Sequence, residues 1–117
     1  MSKLFLQYPK CTTCKKAKKF LVENNVEFKD RDITLDNPTV NELEEWIKLS
    51  GLEIKKFFNT SGVLYKEMNL KDKLKDMSDK EKIELLATNG KLVKRPLLIC
   101  DDKVLVGFKE EKYREIL

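Results

Sequence analysis

Histidine is absent from this chain, and that absence alone removes the Ser-His-Asp triad, the Cys-His protease dyad and every His-ligated metal site. Cysteine is scarce: there are three, an odd number that argues against the paired framework of a small secreted domain. Arginine is scarcer than the basic count suggests. Of 24 basic residues only Arg31, Arg95 and Arg114 are arginine, the side chain best suited to forked recognition of an oxyanion. No run of eighteen apolar residues occurs, so no membrane contact is expected. The opening segment Met1 to Cys11 has neither the apolar length nor the small-residue cleavage site of a signal peptide. A cytoplasmic location is the expectation. Internal repeats, low-complexity tracts and flexible linkers are also missing.

What is present fits one domain spanning residues 1–117, of which 41% are hydrophobic and 38% charged. The formal charge is +4, yet 24 basic and 20 acidic residues are interleaved along the chain. Such a mixed surface offers no basic stripe, so direct nucleic-acid binding is not expected.

Lys3 to Tyr8 reads as a strand stopped by Pro9, which cannot donate to a sheet. From Thr12 to about Asn24, Cys14, Ala17 and Leu21, with Phe20 beside them, recur at helical spacing opposite a lysine face. Val26 to Ile33 alternates like a half-buried strand, with Val26 and Phe28 on one side and Glu27 and Lys29 on the other. A β-α-β opening of this length predicts parallel strands.

Thr39 with Glu42, and Ser78 with Glu81, are capping-box pairs, each followed by a helical apolar pattern; these helices are expected to stop at Ser50-Gly51 and Asn89-Gly90. Between them Glu53 to Phe58 suggests a short helix, Asn59 to Gly62 a loop, and Tyr65 to Met77 weak helix. Leu97 to Cys100 and Val104 to Val106 form a hairpin about Asp101-Asp102-Lys103. Lys109 to Leu117 closes the chain as a helix, with Tyr113, Ile116 and Leu117 available for docking. The helical middle, about residues 38–90, is expected as an insertion in an α/β domain.

The chemistry concentrates in Cys11-Thr12-Thr13-Cys14, a C-x-x-C where a strand enters a helix. Unpaired N–H groups of a first helical turn and the positive end of the helix dipole favour a thiolate. That placement can bring a cysteine pKa from about 8.5 to roughly 3.5–7.5. Lys10 and Lys15 should act in the same direction. Cys14 shares the inner face with Ala17 and Leu21, below Cys11, where it could resolve a mixed disulfide or serve simply as a small core side chain. A structural zinc needs four ligands, which one C-x-x-C plus the distant Cys100 does not supply, so no metal is expected. Cys100 is assigned to the core. Arg95-Pro96 precedes an apolar strand, and Pro96 is a candidate for a cis bond. Its turn would lie beside Cys11, with Arg95 supplying positive charge; without the C-x-x-C it would be an ordinary surface arginine before a strand-initiating proline. Thr12, Thr13, Lys15, Asn59, Ser61 and Pro96 are the candidate substrate-contacting residues, although polar loop residues such as Asn59, Thr60 and Ser61 commonly serve only the turn.

Four segments together carry a resemblance: Tyr8 to Cys14, Phe57 to Gly62, Lys94-Arg95-Pro96 and Val106-Gly107-Phe108. Over essentially the whole chain the sequence resembles the arsenate reductase (ArsC) family, in its Spx/MgsR-like branch. The resemblance implies a thioredoxin-like fold with a mixed sheet of about four strands, a catalytic Cys11, a cis Pro96 and an active-site Arg95. It implies no bound cofactor, with glutathione, a thioredoxin or a glutaredoxin as electron donor. The C-x-x-C itself points to thiol-disulfide exchange with a partner protein or small thiol, and the resemblance adds two alternatives: arsenate reduction, and redox-switched binding of the C-terminal domain of the RNA polymerase α-subunit. A monomer is expected. Family members that use glutathione and glutaredoxin surround the nucleophile with three arginines. Here only Arg95 falls at such a place, and Asn59 to Ser61 and Gly107 to Lys109 occupy the other two. Losing two forked contacts of about 1.5–3 kcal/mol each would cost an oxyanion several kcal/mol of binding.

Overall fold

The computed structural model describes residues 3–117. Strand β1 (Lys3–Gln7) leads through Cys11 into helix α1 (Thr12–Glu23), and β2 (Phe28–Asp32) then pairs parallel to β1. A helical stretch follows: α2 (Val40–Ser50), a 3-10 turn (Ile54–Phe57), α3 (Val63–Glu67), α4 (Leu70–Lys73) running into a second 3-10 turn (Leu74–Asp76), α5 (Asp79–Leu86) and a third 3-10 turn (Gly90–Leu92). Strands β3 (Leu97–Ile99) and β4 (Val104–Val106) form an antiparallel hairpin, and α6 (Glu110–Arg114) ends the chain. The sheet order is β2-β1-β3-β4, with β3 antiparallel to β1.

Strand alternation divides the core between the two faces of this sheet. Phe5 and Leu98 face α1 and α6, joining Ala17, Phe20, Leu21 and Tyr113. Their neighbours Leu6 and Leu97 face the helical middle, joining Ile33, Leu43, Trp46, Phe57, Phe58 and Leu86. Each large side chain removed from water contributes about 1.5–3 kcal/mol. Both capping boxes form: Thr39 accepts the Glu42 N–H at 3.2 Å and Ser78 accepts the Glu81 N–H at 3.2 Å, each glutamate returning the bond. Gly51 ends α2 in the left-handed conformation at φ 70°, which glycine adopts without a Cβ clash.

Several boundaries differ from the sequence expectation. The strand expected from Val26 begins at Phe28, and it is an edge strand whose exposure does not strictly alternate. Tyr65 to Met77 is three short pieces, because Asn69 at φ 52° sits in the left-handed region and breaks α3 from α4. The helix expected to run to Asn89-Gly90 ends at Leu86, and the chain turns again before Gly90. The last helix is shorter than expected. Tyr113 is fully buried and Ile116 partly so, while Leu117 is exposed. Cys100 sits at the edge of the core: it lies one residue past β3, partly buried against the Phe5, Phe20 and Leu98 cluster, and its N–H donates to Lys103 O at 2.9 Å to close the hairpin. No helix among the described residues is long and apolar enough to cross a membrane.

Candidate active site

The site is built where β1 stops. Pro9 and Lys10 turn the chain, the Cys11 N–H donates to Tyr8 O at 2.9 Å, and Cys11 becomes the N-cap of α1 in extended backbone. Side chains at an N-cap accept from the first turn, and here the acceptor is sulfur: the Cys14 N–H donates to Cys11 Sγ at 3.4 Å. Cys11 is partly exposed, Cys14 is fully buried, and both are free thiols. The Tyr8 N–H donates to Cys14 Sγ at 3.5 Å, so the two sulfurs each hold one backbone donor.

The electrostatics separate the pair. Partial burial on its own would push the Cys11 thiol up; the Cys14 side chain, the Cys14 N–H and the Arg95 guanidinium outweigh it, and the Cys11 pKa is lowered. Cys14 goes the other way. Burial pushes its thiol up to about 12, and the neighbouring Cys11 adds to the rise. Ionisation is eased at one cysteine and opposed at the other, which is the direction of difference that a nucleophile and a resolving thiol require. Cys100 is also raised, by burial.

Arg95 reaches this place from the loop before β3. Its guanidinium carbon lies 4.9 Å from the centre of the Tyr8 ring and its Nη1 donates to Lys91 O at 3.3 Å. It acts on Cys11 first through its charge and then through its side chain's contact with the sulfur. The Arg95-Pro96 bond is cis. Pro96 is buried, and its carbonyl accepts the Gly107 N–H at 2.8 Å, fixing the loop against the end of β4.

The other candidates divide. Thr12, Thr13 and Lys15 lie on the first turn of α1 and are exposed. Lys10 and Lys15, expected to lower the Cys11 pKa, are solvent-facing, and the positive charge that does act on Cys11 is Arg95. Asn59 lines a cavity of about 360 Å³ together with Tyr8, Val63, Leu64, Lys91 and Arg95, which brings it to the site's edge. Ser61 does not line that cavity; its Oγ is paired with Asn59 Oδ1 at 3.4 Å within the turn. The sequence assigns no role to Tyr8, although its position immediately before the Pro9 strand stop is a signal that could have found it. Among the described residues no group of three or more cysteine, aspartate or glutamate side chains converges as a metal site.

A mixed sheet entered by β-α-β, with a cysteine capping the first helix and a cis-proline loop opposite it, defines a thioredoxin-like fold of the arsenate reductase kind. Within that class the chain belongs to the ArsC family, whose model matches residues 6–116. It is 51% identical over 115 residues to YusI of Bacillus subtilis, covering 98% of both chains. It is 33% identical over 104 residues to the regulatory protein MgsR of the same organism, covering 89% of this chain and 81% of the other. An ArsC family related protein from Bacteroides fragilis superposes with a TM-score of 0.97 at 62% identity, over 100% of this chain and 98% of the other. The arsenate reductase from Vibrio cholerae superposes with a TM-score of 0.89 at 28% identity, over 100% and 98%.

Proposed function

We propose that this protein carries out thiol-disulfide exchange, with Cys11 as nucleophile, Cys14 as resolving thiol, and Arg95 with the α1 N-terminus stabilising negative sulfur. The single observation that carries this reading is the opposed pair: a partly exposed N-cap sulfur with lowered pKa directly above a buried sulfur held protonated. In the first step the Cys11 thiolate attacks one sulfur of a substrate disulfide, forming a mixed disulfide and expelling the other half as thiolate. That step removes the negative charge beside Cys14, one of the causes of its raised pKa. Cys14 then loses its proton to solvent, attacks Cys11 Sγ and releases the second substrate thiolate. Substrate is reduced by two electrons and the Cys11–Cys14 pair is oxidised to a disulfide. A small thiol such as glutathione, or a thioredoxin or glutaredoxin, restores both thiols by the reverse exchange. A cytoplasmic setting suits that cycle, because it keeps the donor pool reduced.

The test is thiol chemistry. Cys11→Ser should abolish alkylation of the folded protein near pH 6. Cys14→Ser should leave alkylation in place and accumulate mixed disulfides on Cys11, identifiable by mass spectrometry. Labelling that persists at Cys14 or Cys100 in the Cys11→Ser protein would reverse the assignment.

Arsenate reduction is a second reading, favoured by the match to the Vibrio cholerae enzyme. Its limit is the oxyanion clamp, since Arg95 is the one arginine acting on Cys11. Arsenate turnover coupled to glutaredoxin and glutathione, or to thioredoxin, no faster than with Cys11→Ser would remove it. The match to MgsR favours a third, a redox-switched regulator. It requires the C-terminal domain of the RNA polymerase α-subunit to be retained in one redox state and released in the other.

A further inference from the structure

Every group assigned to the exchange chemistry touches one residue that has no part in the chemistry itself. The Tyr8 carbonyl accepts the Cys11 N–H at 2.9 Å, its N–H donates to Cys14 Sγ at 3.5 Å, and its ring lies 4.9 Å beneath the Arg95 guanidinium. The two backbone bonds would be made by any residue other than proline at this place. The ring is different, because a flat π face under a guanidinium is something only an aromatic side chain supplies. Arg95 needs such a support. Apart from its action on Cys11, its one hydrogen bond among the described residues is the 3.3 Å contact to Lys91 O, and it forms none of the ion pairs. An arginine so lightly held has many rotamers, and only some of them put its charge at Cys11.

We infer that Tyr8 is a positioning residue, whose ring holds the Arg95 guanidinium over the Cys11 sulfur and so sets how low in pH that sulfur stays reactive. The inference rests on the thiolate reading of Cys11 and adds to it the residue that tunes it. The side-chain groups that act on Cys11 are Cys14 from α1 and Arg95 from the β3 loop, while Lys10 and Lys15 are solvent-exposed. Tyr8 works through Arg95, and that route makes it separable from a residue that merely fills space. The ring also borders the 360 Å³ cavity that Arg95 and Lys91 line, so the same contact fixes one wall of that space.

The experiment is the pH profile of iodoacetamide alkylation at Cys11, read by mass spectrometry on the full chain. Tyr8→Phe keeps the ring and should reproduce the parent profile. Tyr8→Leu, or Tyr8→Met should the leucine variant unfold, should move the midpoint up by about half a pH unit, the scale of one partly exposed cation–π contact. In an Arg95→Gln background the same substitution should add nothing. An unmoved midpoint in the Leu or Met variant overturns the inference, as does a Phe variant that shifts as far as Leu. An equal shift with and without Arg95 overturns it too, since that is the mark of a general packing role. If the parent protein itself titrates as an ordinary alkaline thiol, the reading of Cys11 fails first and the inference falls with it.

Discussion

All three arginines lie over an aromatic ring, and the contrast between two of them, Arg31 and Arg95, separates architecture from chemistry. Arg31, at the end of β2, is 5.9 Å from the Trp46 ring, and its side chain is only 11% exposed. Its guanidinium is nearly saturated: Nη1 and Nη2 fork onto Glu42 at 2.8 and 2.9 Å, Nε donates to Asp36 O at 2.8 Å, and Nη2 also donates to Asn37 O at 3.1 Å. This is a staple from sheet to helix, with almost no donor left for a ligand to use. Arg95 holds its ring more closely and almost nothing else. A fixed arginine serves the fold. One supported from beneath, with most of its five donors free, can serve a sulfur or an incoming substrate.

The largest effect should come from breaking the stapled half of the molecule at Gly90. An added Cβ there would collide with the Ile33 carbonyl carbon and oxygen, both backbone atoms with no freedom to step aside. Gly90→Ala therefore forces the third 3-10 turn away from the end of β2. A loss of at least ~3 kcal/mol is expected by urea denaturation. Lys91, next in the chain, lines the same cavity as Arg95 and accepts its hydrogen bond. The folded fraction that remains should therefore also alkylate more slowly at pH 6. Full parental reactivity would mean that the stapled region and the site are uncoupled.

Arg31→Ala removes the staple more gently, leaving Glu42 half-satisfied by its Thr39 capping bond at 3.0 Å. A charge-assisted fork of this exposure should be worth about 2 kcal/mol at pH 7. The sign with pH is fixed by Glu42. The Arg31 hydrogen bonds hold its carboxyl below the ordinary carboxylate range, so the stabilisation is fully present above about pH 4.3 and is lost as pH falls through the depressed value. The stability gap between parent and Arg31→Ala should accordingly narrow on going from pH 7 to pH 3. A gap that stays constant would place the energy in the Trp46 contact instead.

These regions are unequally legible in the sequence. Capping boxes, the β-α-β opening and the C-x-x-C at its junction are local patterns, and all are present as read. Gly90 reads as a helix stop, yet α5 ends at Leu86 and the glycine is there because a backbone from elsewhere in the chain passes against it. Long-range contact of that kind leaves no periodic trace. Adjacency in sequence assigns Lys10 and Lys15 an effect on Cys11. The charge that acts comes from residue 95, brought in by the pairing of β3 with β1. Cys100 reads as core because its strand is apolar, and it packs at the core's edge only partly buried because the strand stops one residue earlier. Tyr8 is visible as the last residue before Pro9, whereas the ring beneath Arg95 exists only once the sheet has formed.

The smallest change in stability should accompany the sharpest change in chemistry. Arg95→Gln gives up one 3.3 Å bond and a ring contact near the surface, so its unfolding free energy should stay within about 0.5 kcal/mol of the parent. Cys11 loses the guanidinium that opposes its desolvation, and its pKa must rise toward the ordinary thiol value. Alkylation depends on the thiolate, whose population falls as pH drops through the folded-state pKa. A raised pKa therefore moves that loss to higher pH, by about one unit for removal of a nearby opposite charge. Cys14 keeps its N–H bond to Cys11 Sγ, so some reactivity below the range of a free thiol should survive. If the profile of Arg95→Gln overlays that of the parent, the helix terminus and Cys14 alone set the thiolate. Arg95 would then have no part in tuning the sulfur, and its contact with the Tyr8 ring would be incidental to it.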